Sequence, residues 1–111
     1  MNVNPIIIAA LASMNLPVAP NTYEGVATEY IVFNYADERA VVSGSDVDLL
    51  DVTAVQVHYF TQGNPQANKK IIRRLLRAAG FTIDNTVELY ESDTGYNHVV
   101  VECEIDGDIN D

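Results

Sequence analysis

The sequence predicts an α+β domain: a four-stranded, mostly antiparallel sheet carrying two helices on one face, in the order αββαββ. Three observations predict it. Helical spacing of apolar residues occurs twice, near residues 3–14 and 65–79. Runs rich in β-branched and aromatic residues occur four times. The runs come in pairs, two after each helix, which suits two hairpins packed under two helices.

Residues 3–14 open with Pro5 in a first turn, and Ile7, Ile8, Leu11 and Met14 then recur at helical spacing. Two prolines in "NLPVAPN" stop this helix, and the stretch reads as an ordered connector. "TEYIVFNY" (28–35) reads as the first strand. The acidic segment that follows, residues 37–50, shows no clean period and holds Gly44 between two serines, so it reads as a long loop. A loop of that length in so small a domain serves a function or moves, and ordering on assembly is one such function.

"DVTAVQVHYF" (51–60) is the second strand, with Val55, Val57 and Tyr59 on one side and Gln56 and His58 on the other. The second helix, 65–79, is the clearest element. Asn64 is a suitable N-cap, Pro65 a suitable first residue and Gly80 a suitable stop. Ile71, Ile72, Leu75, Leu76 and Ala79 share one face; Lys69, Lys70, Arg73, Arg74 and Arg77 share the other. Leu75 is thereby expected in the core, where truncation to alanine costs about 2–5 kcal/mol. Residues 86–91 and 96–105 form the last hairpin. Val99, Val101, Cys103 and Ile105 point one way; His98, Val100, Glu102 and Glu104 point the other. Residues 106–111 read as a frayed tail.

The length suits one domain, 1–111, with a substantial core. No apolar run approaches the ~20 residues of a membrane-spanning helix, and the apolar start lacks a basic leader, so synthesis in the cytoplasm is expected. The single cysteine, Cys103, has no internal disulfide partner. Six basic residues face sixteen acidic ones, a net charge of −10. Five of the six lie between Lys69 and Arg77, leaving one basic and sixteen acidic residues elsewhere, a net of −15. Such a surface repels DNA, so no sequence-specific nucleic acid is expected as a partner.

Asp93-Thr94-Gly95 is the one catalytic signature in the chain. Aspartic proteases hold such an Asp between apolar strands and share a proton with a second copy. Here Glu91 and Ser92 precede it, Tyr96 follows, and no bracing apolar strand ends in glycine. The stretch therefore reads as a hairpin turn, for which Ser, Asp, Thr and Gly are favoured. Alternation places His58 and His98 on one sheet face and Cys103 on the other, which argues against a His/Cys metal site. A two-histidine site with Glu102 stays open beside the plainer reading of surface or interface histidines. No cofactor and no catalytic residue is expected.

The basic helix face has three readings: a solvated face, a dock for acidic surface on a neighbouring copy or partner, or a membrane or nucleic-acid contact. The core's claim on the apolar face argues against the membrane. The acidic segment, with Asp37, Glu38, Arg39, Asp46 and Asp48, is either a solvated loop or an arm that orders on assembly. Copies of this chain would be complementary head to tail, so both segments are candidate interfaces. Reversing Arg73 and Arg74 to Glu should then block assembly.

The stretches "LPVAPNTYEG", "YIVFNYADERA", "DVTAVQVHYFTQGNP", "KKIIRRLLRAAGF" and "ELYESDTGYNHVVVECEI" bring the segment order into focus. In that order and spacing, across nearly its whole length, the chain resembles small tail terminator and tail completion (tail-to-head joining) proteins of long-tailed bacteriophages and prophages. No single motif among them is highly specific. The resemblance implies an α+β subunit forming a homo-oligomeric ring, commonly a hexamer, at the head-proximal end of the tail. Its partners would be the tail tube protein and the head-tail connector, and its location the virion. The family carries no catalytic residues. The alternative is a small non-catalytic binding module that grips a partner through helix 65–79.

Overall fold

The computed structural model describes residues 1–43 and 48–108, with two helices and a five-stranded mixed sheet. In chain order these are α1 (Asn4–Leu11), extended by a 3-10 turn (Ala12–Met14), β1 (Val18–Pro20), β2 (Tyr30–Ser43), β3 (Asp48–Thr61), α2 (Gln66–Ala78), β4 (Thr82–Glu91) and β5 (Tyr96–Asp108). The spatial order is β1-β2-β3-β5-β4. Three neighbouring pairs are antiparallel, and β1 runs parallel to β2.

Both helices pack on one face. Val3 just before the first helix, Ile7 and Leu11 within it, and Ile72 and Leu76 from the second meet Ile31, Phe33, Val55, Val57, Tyr59, Val99, Val101 and Cys103 from the sheet. The expected alternation in β3 and β5 is therefore observed. Burial pushes the Cys103 thiol up to about 12, so it behaves as a small core residue. In α1 the spacing holds for Ile7 and Leu11, whereas Ile8 is exposed.

Chain chemistry fixes both ends of α2. Asn64 Oδ1 accepts from the Gln66 amide at 3.0 Å. Gly80 adopts φ +104°, and the amides of Gly80 and Phe81 donate to the carbonyls of Arg77 and Leu76. That is a Schellman stop, with Phe81 carried into the core. A Cβ at Gly80 would meet only Ile105 Cδ1, at 3.6 Å. Gly80→Ala should thus cost about 1–2 kcal/mol through backbone conformation alone, read as a lowered denaturant midpoint.

Three expectations are corrected. First, the sheet has five strands. Val18–Pro20 pairs with Ile31, Val32 and Phe33, and the Ile31 amide donates to the Pro17 carbonyl at 2.8 Å. Prolines rule out a central strand but not an edge strand, where their missing N–H is not called upon. Second, residues 37–50 are not a long loop: β2 runs to Ser43 and β3 starts at Asp48, in register throughout. Third, Asp106–Asp108 are strand residues, paired with Leu50 to Val52.

The acidic segment loses its period for two reasons: consecutive charges at Asp37, Glu38 and Arg39 fall on both faces, and the strand is bulged just before them. Tyr35 pairs with Val55 and Asp37 with Ala54, so Ala36 is an extra, bulged residue. Before it, Ile31, Phe33 and Tyr35 lie on the helix side; after it, Glu38 and Ala40 do. Asp84 plays the same part in β4, between Ile83, opposite Cys103, and Asn85, opposite Glu102. Both bulges flank the Val55–Cys103 pair. Beyond it β2, β3 and the end of β5 continue as an arm. The result is elongated: 51 × 22 × 22 Å, with a radius of gyration of 15.1 Å, against about 13 Å for a compact domain of this length.

Candidate functional site

The turn at Ser92–Gly95 joins β4 to β5. The amides of Thr94 and Gly95 donate to the Glu91 carbonyl at 3.2 and 2.8 Å, and Gly95 has φ +76°. The stretch "SDTG" turns a corner, with the positive φ that its glycine permits.

Three surfaces remain. The first is the basic side of α2. Its five cations do not behave alike. Lys69 Nζ pairs with Glu88 Oε1 of β4 at 2.7 Å, and the carboxyl of Glu88 is lowered by that contact first. This contact exists because the Asp84 bulge turns Glu88 toward the helix side. Arg73 is half-buried, and its Nε is buried without a hydrogen-bond partner among the described residues. Lys70, Arg74 and Arg77 are exposed and have no ion pair among the described residues. At spacings of four and three they form one stripe along the helix.

The arm is the second surface. Arg39 lies on the open face between Asp37 Oδ2 (2.9 Å) and Glu104 Oε2 (3.2 Å), and both bonds raise its pKa. Nearby, partial burial first and then Glu104 push the Asp84 carboxyl up. Glu38 takes the opposite face, where it meets the amino group of Met1 at 2.7 Å. The predicted interface residues Asp37, Glu38 and Arg39 therefore divide between two faces. Asp48 begins β3, and Asp46 lies outside the described residues.

The open face of the sheet, away from the helices, is the third. Tyr23, Tyr30, Phe60 and His98 stack in a row, with successive ring centroids 4.6, 4.9 and 4.2 Å apart. Beside the row a pocket of about 410 Å3 is lined by residues that include Asn21, Val32, Asn34 and His58. A polar chain crosses the strands here. Asn34 Nδ2 donates to Gln56 Oε1 (3.2 Å), and Asn34 Oδ1 meets His58 Nε2 (2.7 Å). His58 Nδ1 meets His98 Nε2 (2.7 Å), and His98 Nδ1 stands 3.6 Å from Glu91 Oε2.

Alternation alone put both histidines on this face. Their meeting depends on strand register, which places His98 opposite Phe60, a diagonal neighbour of His58. The carboxylate beside His98 is Glu91 rather than Glu102. Among the described residues no group of three or more His, Cys, Asp or Glu is arranged to hold a metal ion. No helix among them is long and apolar enough to cross a membrane.

Compared with solved structures, the chain is similar to a chain in the virion of a native gene transfer agent (GTA) particle. The TM-score is 0.54 at 11% sequence identity, over 88% of this chain and 84% of that one. No family model matches, and no curated protein matches in sequence. At that identity the likeness is one of fold.

Proposed function

We propose that this chain is a structural virion protein of phage type. It forms a homo-oligomeric ring, a hexamer, at the head-proximal end of a tail tube, and there ends tube polymerisation or joins the tail to the head. The observation that carries the reading is the fold likeness to a virion chain along 88% of the sequence. Two features support it. The elongated shape, with an arm beyond the helix-covered core, gives a subunit long surfaces to share with neighbours. The net charge of −10 lets DNA pass without being held.

In such a ring the stripe of Lys70, Arg74 and Arg77 docks on acidic surface of the next copy. Asp37, Glu102 and Glu104 on the open face are the acceptors. Like charges along the stripe repel one another in the isolated subunit, by a few tenths of a kcal/mol per pair, and acidic surface relieves this. The tail tube protein and the head-tail connector bind the two ends of the ring.

Electron microscopy of particles made without this chain tests the reading. Overlong or variable tails beside unattached heads are expected of a terminator. Normal-length tails beside full, unattached heads are expected of a joining protein. Intact, infectious particles would overturn the proposal.

A further inference from the structure

His58 and His98 are the only histidines of the chain, and their rings share one hydrogen bond. Its proton can be placed by following the chain of bonds inward from Gln56. Asn34 uses its Nδ2 as donor, toward Gln56 Oε1 and the Tyr35 carbonyl, which leaves Oδ1 as an acceptor. His58 must therefore donate from Nε2 to Asn34. A neutral imidazole has one N–H, so His58 Nδ1 is a bare acceptor facing His98 Nε2 at 2.7 Å. The donor of that bond is His98, and the bare nitrogen left over is His98 Nδ1. That nitrogen stands before the Glu91 carboxylate at 3.6 Å.

We infer that the pair is a proton-operated clasp across four strands of the open face: the first proton enters at His98 Nδ1, and His58 stays neutral as it does so. The surroundings favour His98 for two reasons. Glu91 lies beside its free nitrogen. The Phe60 ring lies against its face, centroid to centroid 4.2 Å, where an imidazolium gains from the ring's electron density. Both ring nitrogens of His58 are already engaged, by His98 and Asn34, and it has no ion pair among the described residues. Among the described residues the other titratable groups on this face are Tyr30 from β2, Tyr96 from β5 and Tyr23 before β2, beside the rings, and farther toward the arm Asp37 and Arg39 from β2 and Glu102, Glu104 and Asp106 from β5. Both helices lie on the opposite face.

The two protons have opposite effects. The first converts the 3.6 Å contact into an imidazolium–carboxylate pair and ties the β4–β5 turn to the sheet. The second must go to His58 Nδ1, where two donors would then face each other. The clasp opens there, at the wall of the pocket that both rings line. Partial burial holds both histidines below their usual 6.5, with His98 lowering His58 further and Glu91 partly restoring His98. An unfolded chain binds these protons first as pH falls. The stability from the neutral pair is present above about pH 6.5 and is lost as pH falls through the lower folded values.

Nitrogen chemical shifts of the two imidazoles, followed by NMR from pH 8 to pH 5 on the full chain, test the clasp. Both rings should show the Nε2–H tautomer at pH 8, and His98 should titrate before His58. Glu91→Gln should lower the His98 midpoint by roughly half a unit or more. His98→Gln should remove most of the loss in melting temperature between pH 7.5 and 5.5. An Nδ1–H tautomer at His58, His58 titrating first, or a His98 midpoint unmoved by Glu91→Gln would each overturn the inference.

Discussion

Leu76→Ala should lower the unfolding free energy by about 2–5 kcal/mol. Leu76 has no exposed surface and sits where α2 meets both α1 and the sheet. Truncation leaves a void that neighbours from three elements cannot all close. The denaturant midpoint should fall while the denaturant slope stays constant, since the surface exposed on unfolding is nearly unchanged. Leu75 gives the internal comparison. It faces the same side of the helix wheel but is only half-buried, packed against the rim of the core. Leu75→Ala should cost distinctly less than Leu76→Ala; an equal or larger cost would show that the helix is rotated from the position described.

Reversing Arg74 and Arg77 to Glu should abolish assembly while leaving the folded subunit intact. Both side chains are exposed and make no ion pair among the described residues. Their replacement should move subunit stability by no more than about 0.5 kcal/mol. At a contact with acidic surface the same change sets like charges against each other, at a cost of several kcal/mol. Sizing chromatography with light scattering, beside a thermal melt, reads both halves. Arg73 is not the residue to reverse, because it is half-buried and a carboxylate there would disturb the fold itself. Assembly that survives the double reversal would return the stripe to the solvent.

The legible parts of this fold are those where one face is apolar and the period unbroken. Helix α2 was readable almost to the residue, because Asn64, the Ile72–Leu76 face and Gly80 all state the same element. The middle of β3 and β5 was readable from Val55, Val57, Val99 and Val101. What hid was polar or out of phase. The strand character of 37–43 was masked twice: Ala36 inverts every later face, and the consecutive charges Asp37, Glu38 and Arg39 fall on both faces and leave no apolar side to alternate with a polar one. The start of β4 was hidden likewise by Asp84. Three residues of β1, one of them proline, carry too little pattern to register.

The site was legible only in outline. Helical periodicity places five cations on one side of α2, but it cannot show that Lys69 is consumed by Glu88. Which cations are free is settled by the neighbouring strand, not by the helix. In the same way, alternation gives His58 and His98 a common face, whereas their bond and the roles of Asn34 and Glu91 depend on the pairing of four strands.

The bulges at Ala36 and Asp84 separate two properties that a regular strand ties together. In a regular ladder, losing one residue turns over everything beyond it. Here, deleting Ala36 would leave Tyr35 opposite Val55 and Asp37 opposite Ala54, the pairs they already make. Asp37, Glu38 and Arg39 would keep their faces, Arg39 would still reach Glu104, and only the local bend and twist would change. Chain length at this point is thus a steering control: the loss of this one residue would re-aim the arm toward a different neighbour without rewriting the chemistry the arm displays.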